Sequence, residues 1–152
     1  MKKSALLFII LSFTFFAKAQ DVAQFSFTLN HVALSVKDVN RSADFYKKVL
    51  NLPEITNKTK VDGIRWFSLG DGKELHLVST IKDTVIINKA VHFALTTSNF
   101  DALVKVLDSK KFTYSDWPGT INKVSIRADG IKQIFFQDPD GYWIEVNSVA
   151  QQ

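Results

Sequence analysis

Cysteine is absent from all 152 residues. That excludes a disulfide framework, thiolate nucleophiles, cysteine-ligated zinc and dithiol redox motifs together, and it fits an oxidising compartment without disulfides. No Lys/Arg-rich run or basic patch occurs, so nucleic acid is not an expected partner. The one long apolar run, Ala5 to Phe16, is broken only by Ser12 and Thr14. It falls short of the roughly 20 apolar residues that a stable bilayer-spanning helix needs.

That run has company. Lys2 and Lys3 precede it and Ala17, Lys18 and Ala19 follow it. A basic start, an apolar core and small residues at an Ala-x-Ala site form the layout of a secretory signal peptide. The expectation is cleavage near Gln20, export to a periplasmic or extracellular location, and no stable membrane insertion afterwards. Residues 1–19 are then the signal, and 20–152 form a single domain. The basic pI of about 9.3 comes from the targeting segment. Of 19 Lys+Arg against 15 Asp+Glu, Lys2, Lys3 and Lys18 leave with the signal, so 16 face 15.

The remaining chain is doubled. HVALSVKDV from His31 matches HFALTTSNF from His92. Each is followed by apolar residues at helical spacing, over Arg41–Leu50 and over Phe100–Leu107. Asn40 or Ser42 is expected to cap the first helix, and Ser98 or Asn99 the second. The ends match too, as FSLGDGKELHLV from Phe67 and FQDPDGYWIEVN from Phe136. Each reads as strand, Asp-Gly turn, strand, with His76 four residues after Gly72 and Glu145 four after Gly141. Shorter strands are expected over Ile55–Thr59 and Lys123–Ala128. The spacing thus predicts an α+β fold of two βαβββ modules, about 26–80 and about 89–149. They are joined by Thr80 to Asn88, read as an ordered crossover because it carries Val85, Ile86 and Ile87 and is not rich in Gly or Pro.

Strand alternation places the chemistry. Val32, Leu34 and Val36 share one face of the first strand, and His31, Ala33 and Ser35 the other. Likewise His92, His76 and Glu145 each oppose an apolar face. Imidazole and carboxylate are ligands for a divalent ion such as Zn, Ni, Co, Mn or Fe, and a set with open positions suits catalysis. His31, His76, His92 and Glu145 are therefore the expected metal ligands. Glu145 and His76 are the expected catalytic groups, with Glu74 as a possible orienting partner for His76. Tyr114, Trp117 and Trp143 are candidate aromatic walls. Arg65, Lys123 and Arg127 are candidate anion holders.

LNHVALSV from Leu29, ADFYKKVLNLP from Ala43 and the closing FQDPDGYWIEV resemble the vicinal oxygen chelate superfamily. That group holds glyoxalase I, extradiol dioxygenases, methylmalonyl-CoA epimerase, fosfomycin-resistance transferases and bleomycin-binding proteins. The resemblance runs from Asn30 to Asn147. It implies sheets curled around a metal cavity, often completed across a homodimer, and a small-molecule substrate bound through two oxygens. His31, His92 and Glu145 match the ligand positions on the first strand of each module and the last strand. His76 falls where glyoxalase I commonly has Glu. The activities implied are a glyoxalase-like lyase or isomerase (lactoylglutathione lyase-like), an extradiol-type iron dioxygenase, or non-catalytic sequestration of a toxic compound.

Overall fold

A computed structural model describes residues 27–149; the expected signal segment lies outside them. Among the described residues no helix is long and apolar enough to cross a membrane. The doubled pattern folds as two four-stranded mixed sheets. In the first, β1 (His31–Ser35) leads to helix α1 (Val39–Lys48), then β2 (Glu54–Ile55), β3 (Ile64–Gly70) and β4 (Lys73–Val78). In the second, β5 (His92–Thr97) leads to α2 (Phe100–Ser109), then β6 (Ser125–Ile126), β7 (Lys132–Gln137) and β8 (Trp143–Ser148). The strand orders are β1-β4-β3-β2 and β5-β8-β7-β6, so the same topology is built twice. β1 and β5 pair with β4 and β8 in parallel, and the other pairs are antiparallel.

The alternation read from β1 holds. Leu34 and Val36 are buried while His31 and Ala33 are exposed. The apolar faces meet the helices and one another. Leu34, Ala43, Phe45, Phe67, Leu75 and Leu77 of the first module share one core with Phe100, Leu107, Ile134, Phe136, Ile144 and Val146 of the second. Phe45 bridges the modules, 5.7 Å from the Phe112 ring and 6.4 Å from Phe136.

Local chemistry moves some boundaries. The cap of α1 is Asp38, not Asn40 or Ser42. Its carboxylate accepts from the Asn40 and Arg41 amides at 2.9 and 3.1 Å, and the helix starts two residues earlier than expected. Asn99 stands at the cap position of α2 without a side-chain cap bond. β2 stops at Ile55 because Asn57 folds the following chain onto itself. Its amide donates to the Val61 and Ile64 carbonyls, and its oxygen accepts from the Thr59 amide. Such local side-chain bonds compete with a sheet ladder. β6 is cut to two residues by the Arg127–Ile131 turn, closed by the Arg127 and Gly130 amides. The crossover forms no strand, and Ile86 on it is 91% exposed. Replacing Asp38 by Ala leaves two first-turn amides without an acceptor. It is expected to cost about 1 kcal/mol, read as a lower urea midpoint with unchanged slope.

The two Asp-Gly turns differ. Asp71 and Gly72 both have positive φ, 49° and 71°, and link β3 to β4 as a two-residue hairpin, the geometry that favours this dipeptide. The turn from Asp138 to Tyr142 is longer and docks on the first module. Asp138 is buried, accepting from the Tyr46 hydroxyl at 2.8 Å and from the Asp140 and Tyr142 amides at 2.9 Å each. Asp140 accepts from the Ser42 hydroxyl and the Lys37 amide. The Tyr142 hydroxyl accepts from the Ser35 amide and donates to the Ser35 carbonyl. The motif thus latches the second hairpin to the β1–α1 corner.

Candidate metal centre

Each half of the repeat builds one pair of donors. Parallel pairing sets Ala33 opposite His76, so His76 is diagonal to His31 on the same face. Their rings stack with centroids 4.3 Å apart. In the second sheet Ala94 stands opposite Glu145 in the same register, and His92 Nε2 lies 3.0 Å from Glu145 Oε2. Repetition of sequence has become repetition of geometry. Across the chain, however, the pairs stay apart. Among the described residues no group of three or more His, Cys, Asp or Glu is placed to hold a metal ion. The four residues expected to form one centre are instead divided between the two sheets as two candidate half-sites, His31 with His76 and His92 with Glu145.

The bonds of each ring state its tautomer, because a carbonyl or carboxylate only accepts. His92 Nδ1–H donates to the Lys89 carbonyl at 2.9 Å, which leaves a lone pair on Nε2 of the neutral ring. That lone pair faces the Glu145 carboxylate at 3.0 Å. The two atoms converge on one position that a metal ion or a proton can occupy. The donor set therefore fits a cation. His31 Nδ1 is likewise bonded to the Asn30 side-chain oxygen at 2.7 Å, freeing its Nε2. His76 differs. Its Nε2–H donates to Glu74 at 2.8 Å, and that bond holds the Glu74 carboxyl below the usual carboxylate range. Trp66 covers the other side of His76, stacked at 4.0 Å.

The supporting residues sort differently from the sequence reading. Arg65 is committed to Glu54 through two 2.7 Å bonds. Its hydrogen bond holds the Glu54 carboxyl low. Lys123 pairs with buried Asp116 at 3.0 Å and Arg127 with Asp129 at 2.7 Å. Burial by itself would raise the Asp116 carboxyl, but Lys123 and Thr120 together hold it low. These three cations are already paired and do not face the half-sites as free anion holders. Tyr114 is buried, and burial pushes its hydroxyl upward. Trp117 stands beside the His92 ring, at 5.9 Å, and so does Phe135, at 5.7 Å.

Trp66, Phe135, Asn30 and Lys89 join the surroundings of the four residues without standing out in the sequence. The first two carry a signal in strand register, since Trp66 is paired with His76 and Phe135 with Glu145. Asn30 and Lys89 have none, because their roles depend on an adjacent loop or a backbone oxygen. A groove of about 930 Å³ between the end of α1 and the β5–α2 side contains none of the four donors. The half-sites lie instead along β1–β4 and β5–β8, where β1 and β5 are free sheet edges.

Over residues 28–146 the chain matches the model of the Glyoxalase/Bleomycin resistance protein/Dioxygenase superfamily, and it belongs to that family. It is 28% identical over 125 residues to Glyoxylase I 4 of Arabidopsis thaliana, covering 78% of this chain and 69% of that protein. It is 27% identical over 131 residues to metallothiol transferase FosB of Staphylococcus saprophyticus, covering 82% and 79%. A glyoxalase/dioxygenase structure from Nostoc punctiforme superposes with TM-score 0.65 at 24% identity, over 82% of this chain and 92% of that one. The two-module βαβββ fold is thus the fold of this family.

Proposed function

We propose that the protein is an exported, metal-dependent, glyoxalase-like lyase or isomerase acting on a small substrate that presents two adjacent oxygens. The observation that carries the reading is the pair of incomplete half-sites, His31–His76 and His92–Glu145, at equivalent register positions beside two unpaired strand edges. Two copies related by a two-fold axis would set the first half-site of one against the second half-site of the other, giving two equal centres. Exposure of His31 and Ala33 on one edge, and of His92, Ala94 and Thr96 on the other, supports this homodimer.

The donor set supports one divalent ion per centre, which would polarise the substrate oxygens and stabilise developing enolate charge. The chain's own groups supply the proton chemistry. Glu145 takes the proton from the hydroxyl-bearing carbon and returns it to the neighbouring carbonyl carbon, while the hydroxyl proton passes to the neighbouring oxygen, so that hydroxyl and carbonyl exchange places and charge balances. His76 is the alternative base. Glu74 fixes its ring, and Trp66 blocks one of its faces. Trp117 and Trp143 supply apolar walls on the second half-site.

One observation favours a second reading. With Nε2–H held by Glu74, His76 offers only Nδ1, whereas His31 and His92 offer Nε2; a centre drawn to those two Nε2 atoms and Glu145 without His76 is the two-His, one-carboxylate set of an iron dioxygenase. Elemental analysis of protein from the exported fraction separates the two. Zinc, nickel or cobalt, with proton exchange into a 2-oxoaldehyde adduct in deuterated water, is the expected result. Iron, with oxygen uptake on a catechol, would replace it by the dioxygenase reading. No metal, with unaltered binding of an aromatic ligand, would leave a sequestering protein.

A further inference from the structure

Lys89 lies just before β5, in a turn whose other members, Asn88, Ala90 and Val91, are exposed. The turn closes on itself through the Val91 amide to the Asn88 carbonyl and the Ala90 amide to the Asn88 side chain. Beyond its join to β5, the Lys89 side chain ties it to the body of the module. An ammonium has three protons to donate, and here three oxygens accept. They are the Ser115 hydroxyl at 3.1 Å, the Trp117 carbonyl at 3.0 Å and the Asp116 carbonyl. Three ring faces surround the same nitrogen, with centroids 4.7 Å away for Phe135, 4.9 Å for Trp143 and 5.7 Å for Trp117. Burial lowers the ammonium from the ordinary lysine range while Asp116 acts the other way.

With its protons used, this cation has none left for a substrate anion. Its position matters for another reason. The Lys89 carbonyl is the acceptor for His92 Nδ1–H. Phe135 and Trp117, two of the rings it touches, also stand edge-on to the His92 ring. Lys89 thus meets His92 through both its backbone and its side chain.

We propose that Lys89 is the positioning residue of the second half-site: its caged ammonium anchors the turn, so that its own carbonyl holds the His92 imidazole in the Nδ1–H form with Nε2 turned to Glu145. Without that anchor the turn keeps only its own two bonds and its join to β5, so the carbonyl is held less firmly against Nδ1–H and the Nε2–H form gains population. The consequence for metal affinity rests on the functional reading above; the consequence for the imidazole does not.

The test uses the full mature chain stripped of metal, with nitrogen-15 imidazole spectra recorded where the rings are neutral. The parent is expected to show His92 as a single Nδ1–H tautomer. Lys89→Met, which keeps the stem and removes the charge, is expected to show mixed tautomers and a shifted tryptophan emission. His31 should be unchanged. Zinc affinity by calorimetry should fall about 10–100-fold, the usual cost of losing a group that orients a ligand. A parent His92 with mixed or Nε2–H tautomers overturns the proposal without any variant. So does a folded Lys89→Met chain with the parent's tautomer and zinc affinity. If Lys89→Met does not fold, Lys89→Gln, which keeps a polar head but is neutral and too short to meet all three oxygens, is read in the same way, and the parent's tautomer in that variant also overturns it. A tautomer change in a chain that binds no metal in either form would uphold the positioning and remove the metal reading instead.

Discussion

Mixing two metal-dead variants is expected to restore metal binding. His31→Ala/His76→Ala removes one half-site and leaves the other whole, and His92→Ala/Glu145→Ala does the reverse. Each alone should lose at least the roughly 10–100-fold in affinity typical of disturbing a ligand's support, because a first ligand is worth no less. Folding should persist, since the apolar faces of Leu34, Leu75, Leu77, Ile144 and Val146 are untouched in the core. After subunit exchange, about half of the dimers are mixed by symmetry, and each mixed dimer carries one whole centre and one empty of donors. The mixture should therefore hold about a quarter of the parent's metal. The readouts are calorimetric titration with zinc and native mass spectrometry of the mixture. Mixed dimers that regain no metal would mean that the centre is not shared between copies. Parent-like binding by either variant alone would remove the proposed ligand set altogether. Protons compete for imidazole nitrogen, so affinity in the parent should also weaken as pH falls.

Asp138→Ala is expected to be the most destabilising single change outside the apolar core. The carboxylate is 5% exposed and accepts from the Tyr46 hydroxyl and two backbone amides. Its loss strands those donors at the junction of the modules, where an unmet buried donor costs about 1–3 kcal/mol. A total of about 3 kcal/mol is expected, read as a shift in urea midpoint. Less than about 1 kcal/mol would mean that water replaces the carboxylate and that the latch is not a structural tie. Asp138→Asn separates the bonds from the charge, since an amide oxygen can still accept both backbone bonds. Burial raises the Asp138 carboxyl above its ordinary range, although the Tyr46 bond and the two amides pull it down. A carboxyl raised in the folded state contributes stability at pH below its unfolded value and loses it as pH rises through the folded value. That component of the acid-side profile should vanish in Asp138→Asn.

The sequence displayed much of this molecule because both of its signals are local. Period-two alternation around His31, His76, His92 and Glu145 needs only a strand, and each strand formed where the pattern placed it. The doubled motif then required two similar sheets. Structure departs from the local pattern where a side chain acts on nearby backbone. Asp38 caps α1 ahead of the better-looking Asn40 and Ser42, and Asn57 and the Arg127–Ile131 turn shorten strands that propensity would continue. As sequence, Arg65, Lys123 and Arg127 stand as candidate anion holders because nothing in one dimension shows that Glu54, Asp116 and Asp129 face them.

By itself the sequence determined the modules, their apolar faces and the faces on which the four candidate donors stand, since each follows from residue type and short-range period. Tertiary structure decided how those donors are shared out. Parallel pairing of β1 with β4 and of β5 with β8 joins His31 to His76 and His92 to Glu145 through contacts some fifty residues apart in the chain. Docking of the Asp138–Tyr142 turn on the first module then fixes how the two sheets pack. Within that packing the half-sites remain on separate sheets with β1 and β5 at free edges. Register and docking are set by long-range bonds and shared burial, and no local pattern encodes either.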